Sequence, residues 1–453
     1  MTGVAAASGR LPWLRGVLIA AVISILVVAV LQAGYAFALI ALRAHTDMGA
    51  IRAHMLEAYD TGVIDEHEHP RLIINRGGHQ FTECAAWSVA MDDGRSAREI
   101  ALMPQLHFET EGPCGALHKS AQNLPGTQIT DYSRYWHGYR LYLWPMIEAF
   151  SLQTVRFVNA FLILCAVIWF FVELRASIGR LPALVFFIVL MSLTDIWRIW
   201  VNTPHTLAML AILGGSALFA RLYRTRQSAG SAIVAAAILG SFFNYIDFLS
   251  NPPMAPAMMA FFVLAMPPSQ RASAEAGLRG LPLATLVALS WLGGYAMTWV
   301  LKWVLTVAIS PDPHFAISDV LNQIELRTYG QEHDRHIAFI PLLPTATMIL
   351  QSFISVGTIT VAILTAAIVR QIRLHWAAFD GRRFLRLCTP ALIPMIWFEL
   401  LSNHTQTHSH FTYRSESAAI AIIFAAAVMA LNIPLDFKTL LRGLLRRRAA
   451  ASA

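Results

Sequence analysis

Charge is scarce in this chain. Of its 453 residues only 13% are Asp, Glu, Lys or Arg, 56% are hydrophobic, and mean hydropathy is +0.54. A water-soluble protein of this length could not hide that much apolar surface, so that class is excluded and a polytopic membrane protein remains. Strict apolar–polar alternation is also missing, and many apolar runs are roughly 17–28 residues long, which excludes barrel strands and leaves spanning helices. Cysteine is rare, at four. Cys165 and Cys388 fall inside apolar runs and read as inert core thiols. Cys84 and Cys114 share one long polar segment, where an oxidising compartment would permit a disulfide. Internal repeats, low-complexity tracts and a soluble-domain boundary are all missing.

The net charge of +7 would suit nucleic acid if it formed one patch. It does not. Arg10, Arg15, Arg175, Arg180, Arg221, Arg224, Arg226, Arg271, Arg279, Arg370, Arg373, Arg382, Arg383, Arg386, Lys438, Arg442 and Arg446 to Arg448 fall in alternate loops or at the ends. The intervening short loops carry few basic residues, namely Arg198, Arg327, Arg335 and Arg414. This is the positive-inside pattern, with both termini cytoplasmic, and no nucleic-acid partner is expected. The first apolar run is too long for a signal-peptide core and no small-residue cleavage site clearly follows it, so a retained first span is expected.

The expected fold is all-α, a single integral membrane domain (1–453) of about ten spans. These cover about 17–42, 141–173, 181–196, 206–219, 232–248, 254–266, 281–309, 345–369, 387–401 and 418–433. The outer face then holds a large first loop (44–134), a second loop (310–340) and a His-rich loop (402–414). The first loop opens on an amphipathic pattern over 47–60, with Ile51, Met55 and Leu56 on one stripe. The pieces 81–91 and 99–108 read equally as short strands or helices.

Polar and aromatic residues converge at that outer face. Arg134-Tyr135-Trp136-His137-Gly138-Tyr139-Arg140 leads into the second span. Its tyrosines and tryptophan fit an interfacial aromatic belt. The belt does not account for His137 or the arginines, and an arginine pair suits a phosphate. Asn244 and Asp247 stand at the end of the fifth span, where an ionisable side chain must be paired or functional. Asp195 reads as a helix-end partner of Arg198. Lys302 reads either as snorkelling to the interface or as binding an anion. In the last hairpin come Asn403-His404-Thr405-Gln406-Thr407-His408-Ser409-His410-Phe411-Thr412-Tyr413-Arg414. His404 and His408 have the i,i+4 spacing of metal ligands, yet no HExxH frame or nearby thiolate accompanies them, which favours a wall that hydrogen-bonds sugar or phosphate. The Glu66-His67-Glu68-His69 run reads as a solvated loop, and no GxSxG frame supports serine-hydrolase chemistry.

The large first outer loop and these clusters together resemble the GT-C superfamily of membrane glycosyltransferases. Tyr135-Trp136-His137-Gly138-Tyr139, the 244–252 segment, Gly294-Tyr295 with Lys302-Trp303, and the 403–414 segment also look like those of bacterial membrane proteins associated with surface polysaccharides. The resemblance implies transfer of a sugar from a polyprenyl-phosphate donor to a glycan, glycolipid or protein acceptor at the periplasmic side of the inner membrane. It places a catalytic carboxylate early in the first loop, which points to Asp47, with Asp60 second; Asp247 is a further candidate. A carboxylate base would deprotonate an acceptor hydroxyl. Arg140, Lys302 and Arg414 would then neutralise the departing lipid phosphate. Tyr135, Trp136, His137, Tyr139, Asn244, Asn403, His404, His408 and Tyr413 would bind substrate. A divalent cation is either dispensable or held weakly by carboxylates. A flippase of a lipid-linked saccharide, which predicts midplane charges and inverted repeats, and a membrane O-acyltransferase or polymerase, which predicts an essential intramembrane histidine, are the other readings.

Overall fold

A computed structural model describes residues 11–65, 80–108, 112–124, 128–247, 249–266, 278–328, 331–332, 335–336, 340–354 and 357–431. Arg10, the acidic-histidine run at 66–69, Phe248, Arg271 and the basic tail from 438 onward lie outside the described residues. The first helix, α1 (Leu11–Arg43), is followed by a small layer of short elements. This layer holds α2 (Met48–Asp60), α3 (Gln80–Ala90), α4 (Ala97–Leu102), β1 (Gln105–Phe108), α5 (Pro113–Ala121) and β2 (Gln128–Asp131). The bundle resumes with α6 (Arg140–Ala149), α7 (Leu152–Ile178), α8 (Arg180–Leu193), α9 (Ile196–Ile199), α10 (Thr203–Arg226), α11 (Ala229–Ile246), α12 (Met254–Ala265) and α13 (Leu281–Ile309). After α14 (Pro313–Thr328) and a minimal ribbon, β3 (Gln331–Glu332) with β4 (Arg335–His336), come α15 (Leu343–Phe353) and α16 (Gly357–Leu374). The chain closes with α17 (Gly381–Cys388), α18 (Leu392–Leu400), α19 (Ser402–Thr407), α20 (Ser409–Thr412) and α21 (Arg414–Ala430).

Seven of the described helical stretches are long and apolar enough to cross a bilayer, the architecture of a polytopic helical membrane protein. The expected third and sixth spans are the shorter helices Arg180–Leu193 and Met254–Ala265. Other expected spans are interrupted. The second breaks between α6 and α7, where Phe150 is extended and Ser151 caps the new helix. The eighth divides into α15 and α16. The ninth breaks into α17 and α18 around Thr389–Ala391, because Pro390 cannot supply the N–H that a continuing helix needs.

Helices α11 and α13 approach backbone to backbone. A Cβ added at Gly240 would sit 2.0 Å from the Trp291 carbonyl oxygen, and one at Gly294 the same distance from that of Ala237. Only glycine permits that contact, which is how helices pack tightly in lipid. Polar groups then bind across the seam: Thr298 donates to Ser241 (2.7 Å) and Gln32 of α1 donates to Thr298 (3.2 Å).

The small layer is docked on this end of the bundle. Helix α2 buries Met48, Ile51, Met55 and Ala58, and Cys84 of α3 is disulfide-bonded to Cys114 of α5, both sulfurs fully buried. Beside the disulfide, Glu83 pairs with Arg156 of α7 (2.6 Å), an ion pair with both side chains nearly out of solvent. Arg43, at the end of α1, and Arg52 of α2 both pair with Asp93 (2.9 Å each). The two undecided segments of this layer are α3 and the α4–β1 unit. β1 pairs antiparallel with β2, Gln105 opposite Asp131.

Candidate functional site

Two of the cations expected to meet a phosphate are already engaged by the protein itself. The last four carbonyls of any α-helix lack partners inside it. In α4 these are Glu99, Ile100, Ala101 and Leu102. Glu99 accepts from the Met103 amide (2.6 Å). Arg140 donates through Nη1 to Ile100 (2.8 Å) and through Nη2 to Ala101 (2.7 Å), and Lys302 Nζ donates to Leu102 (2.6 Å). Arg140 also donates to His137 and Trp136 carbonyls, and Lys302 to Thr306 (3.0 Å). Both side chains are fully buried, one against the Trp144 ring and the other facing the Trp136 ring. Cations at a helix C-terminus complement its dipole, so this pair clamps the small layer onto the bundle.

His137 has the same character. It sits at φ +53°, and Gly138 docks against α11 by donating to the Tyr245 carbonyl (2.8 Å). The His137 ring bonds the Tyr132 carbonyl through Nε2 (2.8 Å) and the Tyr139 hydroxyl through Nδ1 (3.0 Å). The carbonyl can only accept, so Nε2 carries the proton. Burial, helped by Arg140, holds this imidazole well below its ordinary value and therefore neutral. Asp47 has a local task as well: it caps α2 by accepting from the amides of Gly49 (2.8 Å) and Ala50 (3.4 Å). Asp60, the last residue of α2, is exposed.

A different set of residues converges between α11, α13, α14 and α19. Tyr135 lies against Trp299 (5.9 Å between ring centroids, nearly parallel), and Arg327 of α14 donates to its hydroxyl. Arg134 stands over the Tyr132 ring (4.5 Å) and 3.4 Å from Asp319. Tyr295 hydrogen-bonds Asn244, and both Asp247 and Arg327 lie within electrostatic reach of it. Asp247 accepts from the Ser250 amide (2.9 Å). Asn403 donates to the Leu326 carbonyl of α14 (2.5 Å), and His404 Nε2 bonds the Leu249 carbonyl (3.3 Å). A cleft of about 170 Å³ opens here, lined by Arg134, Trp299, Trp303, Ile324, Arg327 and Leu401 among others.

The 402–414 segment, expected as a loop, is helical almost throughout. It is buried backbone at the end of a spanning helix and must bond to itself: Thr405 N–H to Leu401 and His408 N–H to His404. The helical spacing puts the His404 and His408 rings 4.7 Å apart, with Phe411 stacked on His408. Burial, then His408 and Arg327, hold His404 well below its ordinary value. Among the described residues no group of three His, Cys, Asp or Glu side chains is arranged to hold a metal ion. Tyr413 donates to Asp195 (2.9 Å), the carboxylate expected at the helix end beside Arg198. Arg414 donates to the Thr194 carbonyl (3.1 Å), away from the cleft.

The structure thus brings together Tyr135, Asn244, Asp247, Asn403 and His404, and sends Arg140, Lys302, His137, Tyr413 and Arg414 into the scaffold. Arg327 is the residue that sequence reasoning missed. Its signal was present: it is one of the few basic residues in a segment otherwise poor in them. Comparison with protein-family models, curated proteins and solved structures finds no match to this chain.

Proposed function

We propose that the protein is a multi-pass membrane glycosyltransferase that moves a sugar from a polyprenyl-phosphate donor to a glycan, glycolipid or protein acceptor at the periplasmic face of the inner membrane. One observation carries the reading: an apolar, tryptophan-lined cleft bears two arginines, Arg134 and Arg327, beside a buried polar group of Asn244, Asp247, Tyr295 and His404. An apolar wall suits a lipid chain, and arginine forks suit its phosphate. In this scheme Asp247 takes the proton from the acceptor hydroxyl, whose oxygen attacks the anomeric carbon. The bond from that carbon to the phosphate oxygen breaks, and polyprenyl phosphate leaves with its negative charge neutralised by Arg134 and Arg327. Asp247 is favoured over Asp47 and Asp60 because it alone of the three belongs to this group. Asn244, Asn403, His404 and His408 supply hydrogen bonds to sugar hydroxyls.

Mass spectrometry of surface glycans and lipid-linked intermediates tests this in cells lacking the gene, complemented with wild type or Arg327→Gln. Loss of one sugar with accumulation of its polyprenyl-phosphate form is the expected result for both the deletion and the variant. Intact glycan composition with a whole lipid-linked oligosaccharide trapped on the cytoplasmic side would instead make the protein a flippase.

A further inference from the structure

Helix α14 follows the spanning helix α13 and packs on its end and on α19. One edge is fixed to the protein: Asp319 faces Arg134, Arg327 holds Tyr135 and the Gln323 amide oxygen (2.6 Å), and the Leu326 carbonyl accepts from Asn403. The other edge carries Ile317, Leu321 and Ile324, at i, i+4 and i+7, which are 46%, 60% and 44% exposed. That spacing is a single helical stripe. An outward apolar stripe next to a spanning helix belongs in the boundary between headgroups and acyl chains. The adjoining wall of α13 agrees. Val300 and Val304 are 48% and 59% exposed, and their chain neighbours Trp299 and Trp303 line the cleft. Exposed apolar surface of α13 therefore adjoins the tryptophan wall of the cleft.

Among the described residues the cleft lining holds two arginines and no carboxylate; Asp319 faces Arg134 from beside it, and Asp247 stands by Tyr295. The Nε N–H groups of both Arg134 and Arg327 are buried and have no hydrogen-bond partner among the described residues. The ion-paired Arg43, Arg156 and Arg224 share that feature, and what sets Arg134 and Arg327 apart is that they line an open cleft, where an anion would give both an acceptor.

We propose that α14 lies in the plane of the headgroup layer and that the cleft between α14 and α13 is a laterally open seat for a long-chain lipid phosphate. The phosphate sits on Arg134 and Arg327, and the chain runs past Trp299, Trp303 and Ile324 into the bilayer. The proposal rests on the transferase reading only in taking the sugar donor as the lipid that uses the seat.

The test uses the full chain in two arms. In the first, Cys165 and Cys388 are replaced by serine, Leu321→Cys is spin-labelled in lipid nanodiscs, and relaxation by oxygen is compared with relaxation by a water-soluble nickel complex. Preferential relaxation by oxygen is expected; a water-exposed label overturns the in-plane placement. In the second arm, native mass spectrometry measures binding of an isoprenoid monophosphate, the corresponding isoprenoid alcohol and inorganic phosphate. The monophosphate is expected to bind at least tenfold more weakly to Arg134→Gln/Arg327→Gln, the alcohol weakly to both proteins, and inorganic phosphate not to compete. Arg327→Lys, which keeps the charge and loses the fork, is the second variant if the double one does not fold, and it too is expected to bind more weakly than wild type. Wild-type affinity in the variant that folds, or equal competition by inorganic phosphate, overturns the seat. Lipid binding that depends on the arginines, without any sugar transfer, sinks the transferase reading and leaves the seat standing. Full transfer by a double variant that binds the lipid as tightly as wild type does the reverse.

Discussion

Arg140 with Lys302 and Arg134 with Arg327 are two basic pairs at one end of the same bundle, and the protein uses them in opposite ways. The first pair is fully buried and bonded to the terminal carbonyls of α4. The second lines a cleft, stands against aromatic rings, and bonds the Tyr135 hydroxyl, the Gln323 side chain and the Asp319 carboxylate. What separates them is the supply of acceptors. A short helix ending under the bundle offers several unpaired carbonyls, and cations placed there are consumed as caps. The cleft supplies other acceptors instead, the Tyr135 hydroxyl, the Gln323 oxygens and the Asp319 carboxylate, and these leave its cations at an open wall where a ligand can reach them.

The largest effect that would break this comparison is expected in the buried pair. Arg140→Met strips partners from buried carbonyls of α4 and should cost about 3–5 kcal/mol of stability, read as lost folded protein or a lower Tm in detergent. A normally folded variant would show that the clamp is not structural. In the cleft pair, Arg327→Gln should leave Tm nearly unchanged and lower the sugar-transfer rate on the order of a hundredfold, the scale of losing one charge-stabilising donor. pH acts on the fold through His137 of the scaffold and His404 of the site, both held well below 6.5 by burial. The unfolded chain binds protons below about pH 6.5 that the folded chain refuses, so stability is complete above that pH and declines as pH falls through it. The slope should reach about 1.4 kcal/mol per pH unit for each histidine. Thermal unfolding between pH 5 and pH 7.5 measures it, and a flat profile would mean that the two rings take up protons in the fold as readily as in the unfolded chain. The smallest effect belongs to Asp47→Ala, about 1 kcal/mol from losing the α2 cap, with transfer unaffected. A dead but folded Asp47→Ala would return the catalytic carboxylate to the first loop.

The sequence makes the helical membrane class legible because apolar runs of spanning length leave little choice. The amphipathic stripe of α2 is legible for the same reason, as Ile51 and Met55 are buried where the pattern puts them. The interrupted helices were harder to foresee. Pro390 signals a break, but Ser151 and the α15–α16 junction carry no comparable mark. The site was half legible. Tyr135, Asn244, Asp247, Asn403 and His404 stand out as polar residues at the ends of apolar runs, and they do gather. Arg140 and Lys302 stand out in the same way and do not join them, because their acceptors are carbonyls of a helix remote in sequence. No local pattern announces such a cap. Arg327 escaped for the converse reason: its partner Tyr135 is remote in the chain, and nothing around it marks α14 as a wall.

The account is tested most directly by sugar transfer in proteoliposomes containing Arg327→Gln or Lys302→Met, with the folded fraction of each variant measured in the same preparation. The account predicts that Arg327→Gln is folded and loses transfer on the order of a hundredfold, whereas Lys302→Met loses activity only in proportion to its lost folded protein. A fully active Arg327→Gln beside a well-folded, inactive Lys302→Met would contradict it and move the phosphate to the buried pair.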